Sequence, residues 1–497
     1  MRNNHRLVAL AVCLGLAASP VAAQSDLAIS QQEFAARRAA LARSIGDGVV
    51  LVYGAVEPTP DYLPWVQSAS FFYLTGLREP GAALLFVVKG GKAQELLFVR
   101  QRNPAQEVWN GKRVGVDGTR AAFGLEGRDV RALDQVLDSL LRDEQSLHVV
   151  GDFGGAEHSL TVHTQRLLAL RERYAPRSVT DASEAVQALR GVKSAAEFDR
   201  LRIAAEISAR GHLAAFRLAQ PGVGEFELQA AAEHAWRAEG ADGPGYLSIL
   251  GSGPNSTTLH YNENSRVTKA GDLVVMDMAA SFDGYSADIT RTIPVSGRFT
   301  DAQRDIYQVV LAAQLAAERQ VRVGNAARAM TDSSTAVLRE GLARLGLIES
   351  PGATYDCGTA ARARQCPQIG LFYMHGLGHG IGLEVHDPDQ YYATGVIGVG
   401  SAFTLEPGIY VRENLAEAMP DTPRNRAYLA KIAAAFTRYA GIGVRIEDDY
   451  LVTANGVLRP SSGVPRDIDA VERVMTEPRT PRDPTVIERF RRYRSGR

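Results

Sequence analysis

Four acidic residues stand within, or at the ends of, runs that otherwise read as apolar strands, and no other feature limits this chain so sharply. Asp277 lies in LVVMDMA, Glu406 in AFTLEPG and Glu447 in GVRIEDD. Asp288, in GYSADITRT, follows Asp277 by eleven residues, and Asp283-Gly284 between them reads as a turn. That spacing allows both acids to face one side of a hairpin. An ionised carboxylate buried without a partner costs several kcal/mol or more. Each acid therefore requires a cation, a metal ion or strong hydrogen bonds. Taken singly, each reads best as a structural salt bridge or a strand-end acid facing water. Taken together they do not, because Arg291 and Arg445 are the obvious nearby cations, and two cannot readily neutralise four.

The histidines point the same way. His260 lies in TTLHYNEN, and His375, His379 and His386 lie in MHGLGHGIGLEVHD. Glycines at 376, 378, 380 and 382 disfavour a helix. They suit an extended or looped backbone that approaches other groups closely. A lone histidine is more often a satisfied core residue, but three in twelve residues within a glycine-rich frame read as chemistry. Four carboxylates and one imidazole match the needs of two divalent ions. Bridging carboxylates can hold such ions about 3.5 Å apart with a shared water between them. The oxygen-rich set, without cysteine ligands, favours Mn²⁺, with Co²⁺ and Zn²⁺ as alternatives.

The chain has 497 residues, enough for two or three domains at roughly 100–200 residues each. Residues 26–47 read as a helix. The short apolar runs GVVLVYG, AALLFVV, ELLFVR and LHVVGDF read as strands, and LTVHTQRLLALRERY as a helix. Strands mixed with helices up to about residue 185 predict a first α/β domain. Beyond it, helices are predicted over 195–219, 225–239, 301–321 and 326–345, with carboxylate-bearing strands after each pair. That order suggests a loose internal duplication. Residues 413–440 read as an insertion with a helical second half, lying between two candidate ligands, where it would shape the cleft.

The formal net charge is −1, which favours neither nucleic acid nor an anionic membrane as a partner. The basic ending ERFRRYRSGR reads as a solvated tail. At the other end, Arg2 and Arg6 precede an apolar run from Leu7 to Ala18, and Val21-Ala22-Ala23 follows. This is the layout of a cleaved export signal, and the apolar run is short for a membrane span. A periplasmic or secreted location is expected. Cys357 and Cys366 then bracket a short polar loop and are expected to pair in an oxidising compartment.

LHYNEN, VVMDMA, ADITRT, MHGLGHGIGLEVHD, TLEPG and VRIEDD together resemble the motifs of the pita-bread metallopeptidases, and among them aminopeptidase P and prolidase. The resemblance covers about residues 190–475. SASFFYLTGLREPGAALLF and VRQRNPAQEVWNGKRVG are similar to the aminopeptidase P N-terminal domain. Val66 departs from the family, which often has arginine there. The resemblance implies a mixed α/β (α+β) chain with a creatinase/aminopeptidase P-like domain 26–187 and a pita-bread catalytic domain 190–478, between the signal peptide 1–23 and the basic tail 479–497 read from the residues themselves.

By resemblance, Asp277 would hold one metal, His379 and Glu406 the other, and Asp288 and Glu447 would bridge both. A bridging hydroxide would attack the scissile carbonyl, with Glu406 as general base. His260 and His386 would bind substrate and stabilise the tetrahedral intermediate. His375 would line the pocket for the residue after the scissile bond, with Tyr410 also on the substrate side. Arg445 would orient a carboxylate. Trp109 would reach into a neighbouring subunit's site, which implies a homo-oligomer. The implied activity is release of the N-terminal residue from peptides with proline second. The alternatives are a prolidase restricted to Xaa-Pro dipeptides and a metal-free, creatinase-like relative; the complete set of five ligand positions weighs against the latter.

Overall fold

The computed structural model describes residues 28–60, 62–144, 146–154, 160–359, 362–388, 395–481 and 485–488. The expected signal peptide, 1–23, and most of the basic tail lie outside them. Gln31–Ile45 forms the first helix, shorter than the 26–47 expected, because Ser30 caps its start by accepting from the Glu33 N–H at 3.1 Å. The first domain is built on a six-stranded mixed sheet. Its central strand, Gly48–Tyr53, is buried throughout, antiparallel to Ala83–Lys89 and parallel to Ser146–Val150. Side chains alternate across such a strand. Val50 and Val52 pack with Phe71, Leu74 and Val186 on one face, and Val49, Leu51 and Tyr53 with Leu137, Leu167 and Leu170 on the other.

Lys193 and Ser194 lead into the second domain. Ser194 and Glu197 form a reciprocal capping box that starts Ala195–Leu218, and Thr300 and Gln303 do the same for Asp301–Glu318. The helix Glu225–Ala238 packs on the first of these, and Arg328–Arg344 on the second. The expected helices are all present, with the third ending three residues early. Each pair is followed by antiparallel strands. Leu273–Asp277 lies between Ile249–Ser252 and Thr290–Pro294, with Asp277 opposite Thr290. Between Asp277 and Asp288 the chain turns at Asp283-Gly284, both in the left-handed region at φ +50° and +84°. In the second half, Ala402–Leu405 pairs with Asp448–Thr453, and Gly408–Tyr410 with Gly443–Arg445. The halves join where the Glu447 N–H donates to the Thr290 carbonyl at 3.0 Å and Thr292 Oγ1 donates to the Arg445 carbonyl at 2.9 Å.

The 413–440 insertion corrects one expectation. Its helix, Pro423–Tyr439, buries Tyr428 and Ile432 in the main core. The Tyr428 hydroxyl donates to the Leu347 carbonyl at 2.8 Å, and Arg438 and Tyr439 hold Asp305. No residue of the insertion lines the cleft described below; its apolar stripe draws it onto the back of the helices. Cys357 and Cys366 are disulfide-bonded across the hairpin Thr354–Asp356 with Gln365–Pro367, as expected. Among the described residues no helix is long and apolar enough to cross a membrane.

Candidate metal centre and active site

The five candidate ligands arrive from separate strands and one loop and line a single cavity of about 760 Å³, together with His260, His375, His386 and Arg445. Asp277 ends its strand and Asp288 precedes the strand paired to it, so the hairpin presents both to one side. Glu406 follows Ala402–Leu405, and Glu447 lies between the strands ending at Arg445 and beginning at Asp448. His379 comes from the glycine-rich loop. A Cβ at Gly378 would sit 2.2 Å from the Thr404 carbonyl oxygen, and one at Gly380 2.7 Å from that of Asp387. The glycines therefore let the loop press against its neighbours, and the Thr404 Oγ1 receives the His379 N–H at 3.2 Å.

Nε2 of His379 lies 3.4 Å from Asp288 Oδ2 and 3.6 Å from Glu406 Oε1. Donor atoms of Asp288, His379 and Glu447 all fall within 4.8 Å of one another. Against four carboxylates stands one guanidinium. Arg445 donates to Asp277 Oδ2 at 2.5 Å, to Tyr410 Oη at 2.9 Å and to Thr290 Oγ1 at 3.1 Å. Arg291, the other candidate from sequence, is committed elsewhere: wholly buried, it pairs with Asp448 at 2.6 Å.

The electrostatics record this shortage of positive charge. Burial, with the neighbouring carboxylates, pushes the Glu447 carboxyl well above its ordinary range. Burial also raises Asp277, against the pull of Arg445, and lifts Glu406 to about 7. Burial opposes the charge on His379, but Asp288 and Glu406 beside it raise it to about 9. Burial likewise pushes Asp288 up, but its hydrogen bond and ion pairing with His379 hold it low. Each shift is what crowded carboxylates show when a cation is wanted between them. The donors, hard oxygens and one imidazole, are those that divalent ions such as Mn²⁺, Co²⁺ and Zn²⁺ accept. The residues present fit such ions.

Two groups with no sequence pattern complete the site. The Tyr246 hydroxyl lies 2.7 Å from both Asp277 Oδ1 and Asp288 Oδ1. Its one proton can serve only one of them at a time, so a cation between the pair would satisfy the remainder. Thr290 donates to Glu447 Oε2 at 2.6 Å while accepting from Arg445, and so links that guanidinium to the acids. A lone tyrosine after Gly-Pro-Gly and a threonine in a strand give no signal by themselves.

The histidines divide by environment. Burial and the nearby Arg445 drive His375 down to about 3, so it is neutral. Its Nε2 lies 2.9 Å from Tyr410 Oη. His386 places its ring 3.8 Å from that of His379, centroid to centroid. His260 is exposed at the cavity wall. Tyr410, expected on the substrate side, is wholly buried and does not line the cavity. Its hydroxyl joins His375 to Arg445 from behind, because its strand turns that face inward. Trp109 stands on the helix Pro104–Asn110, 79% exposed and away from this chain's cavity. Val66, also exposed, lies outside the cavity as well.

Residues 199–454 match the model of metallopeptidase family M24, and residues 34–150 that of the aminopeptidase P N-terminal domain. The Xaa-Pro aminopeptidase of Haemophilus influenzae is 32% identical over 455 residues, covering 90% of this chain and 98% of its own. Aminopeptidase P from E. coli, solved with the inhibitor Pro-Leu, is 31% identical with a TM-score of 0.73, covering 90% of this chain and 98% of its own. The zinc-substituted E. coli enzyme in complex with product is 29% identical at the same TM-score, covering 91% and 100%.

Proposed function

The chain belongs to metallopeptidase family M24 and carries an aminopeptidase P-type N-terminal domain, and from that premise we propose that it is an exported, dinuclear Xaa-Pro aminopeptidase. The observation that carries the reading is the meeting of Asp277, Asp288, His379, Glu406 and Glu447 in one cavity where, among the described residues, Arg445 is the single guanidinium. These five residues would hold two divalent ions, with Mn²⁺ favoured. When bound, such ions supply an activated water and polarise the scissile carbonyl.

The protein's own groups do the rest. Glu406, beside His379 in the cavity wall, is placed to take a proton from a nucleophilic water. His375, held neutral, can accept or donate a hydrogen bond without bringing a second charge beside Arg445. His260 and His386 line the cavity where donors could face the oxygen that becomes negative in the transition state. Arg445 and Tyr246 keep Asp277 in place from two sides. Leu247, Ile249, Leu259 and Val385 give the cavity an apolar wall for substrate side chains. Trp109 and its neighbour Val108, both exposed, support an oligomer in which that helix meets another subunit. Export rests on residues 1–23, and N-terminal sequencing of the protein made in its own host would give Gln24 as the first residue.

The test is a substrate panel on metal-stripped protein with Mn²⁺, Co²⁺ or Zn²⁺ restored in turn. Release of the first residue from Xaa-Pro-Xaa peptides should return with metal. Hydrolysis of Xaa-Pro dipeptides alone would make the chain a prolidase, and full activity in the stripped protein would remove the metal from the mechanism.

A further inference from the structure

A second cavity, of about 420 Å³, lies on the face of the first-domain sheet that carries Tyr53. The face towards the second domain is the other one, where Leu383 packs against the apolar cluster that includes Val50 and Val52. The cavity therefore opens away from the metal centre. Its floor is Tyr53, 6% exposed, whose hydroxyl has no hydrogen-bond partner among the described residues. The ring is held in place: His163 stacks on it at 5.6 Å between centroids, and the Arg166 guanidinium lies 4.8 Å from its centroid. Burial pushes the phenol up to about 12, against Arg166, so it remains a donor at every physiological pH.

Arg166 makes no ion pair among the described residues. Two further arginines line the cavity, Arg131 and Arg173. Both are partly neutralised, Arg131 by Asp129 at 2.6 Å and Arg173 by Asp138 at 2.6 Å. Among the described lining residues one carboxylate appears, Asp134, which is exposed, lies 3.4 Å from Arg173 and also pushes the Tyr53 phenol up. The Arg166 guanidinium, without an ion pair, lies over the ring of a fixed phenol without a hydrogen-bond partner, and both line one cavity, so both keep donors for an incoming acceptor. Leu133 and Leu170 make the remaining wall apolar.

We propose that this cavity is a binding site for a small organic carboxylate with an apolar body, its oxygens on Arg166 and Tyr53 and its body against Leu133 and Leu170. Guanidinium–carboxylate hydrogen bonds are the strong, charge-assisted kind, and an apolar body distinguishes this ligand from an inorganic anion. The test is calorimetric titration of the full-length, metal-loaded protein with benzoate, succinate and inorganic phosphate. Benzoate is expected to bind saturably and more tightly than the other two. Its affinity should fall about tenfold or more in Arg166→Ala, in keeping with the loss of a charged hydrogen bond, and several-fold in Tyr53→Phe. Peptidase rates should stay unchanged in both variants, which also reports that they fold. No benzoate binding, a preference for phosphate, or benzoate binding that persists in both variants and so belongs to the metal centre, would each overturn the assignment.

Discussion

Arg445 offers a test of the claim that this cavity is short of positive charge. Arg445→Met keeps the length and much of the packing of the side chain but removes its charge and three donated hydrogen bonds. Asp277 Oδ2, Tyr410 Oη and Thr290 Oγ1 each lose a partner held at 2.5, 2.9 and 3.1 Å. Each of these bonds is donated by a charged group, and such a bond contributes about 1.5–3 kcal/mol; because one guanidinium makes all three they do not simply add, and the variant should lose about 3–5 kcal/mol. Breaking a buried ion pair from one side costs about the same. That cost belongs to the metal-free protein, in which Arg445 is the cation beside Asp277 while His379 faces Asp288 and Glu406. With divalent ions bound, Asp277 has another source of compensation, and the loss should shrink by half or more. The assay is urea unfolding of wild type and variant, each with EDTA and with excess Mn²⁺. Arg445→Lys should recover only part of the loss, because an ammonium cannot present a planar fork to three acceptors. Equal destabilisation with and without metal would refute the reasoning, since it would mean that the ions and Arg445 do not share the neutralisation of the same carboxylates.

Other outcomes can be checked beside it. Glu406→Gln should abolish turnover while circular dichroism and the melting profile show an intact fold, because it removes a ligand charge and the proposed base together. His212 is wholly buried, and burial holds it down at about 3. The unfolded chain binds its proton near 6.5, so His212 should make stability fall as pH drops from about 6.5 through about 3, by at most about 1.4 kcal/mol per pH unit. His212→Gln should flatten that part of a stability–pH profile. The Cys357–Cys366 disulfide closes a short loop, nine residues in separation, so the double serine variant should lose about 2–3 kcal/mol in urea unfolding. Its rate on Xaa-Pro substrates should change little, because neither cysteine lines the metal cavity.

Local chemistry was legible in the chain itself. Capping residues and helix-period stripes place the helices to within a few residues, since those signals act between neighbours along the chain. The disulfide and the turn at Asp283-Gly284 belong to the same class. The glycines around His379 announce a close approach, but only the fold says to what: Thr404 for Gly378 and Asp387 for Gly380. The insertion at 413–440 shows where local reading stops. Its position between two ligands suggests the cleft, yet its apolar face binds the back of the helices.

The run Glu447-Asp448-Asp449 marks the boundary most clearly. That acids are buried there is legible from the apolar strand residues around them. Which acid faces which way is decided by tertiary structure. Glu447 enters the metal cavity, Asp448 turns to Arg291, Arg459 and Arg466, and Asp449 receives the Asp288 N–H. Alternation along a strand sends successive side chains to opposite sides, but what waits on each side comes from segments remote in sequence. For the same reason Tyr246 and Thr290 carry no signal in the sequence and yet touch three of the five ligands. A carboxylate's need for a cation is a property of the residue and its neighbours. The partner that meets the need is a property of the fold.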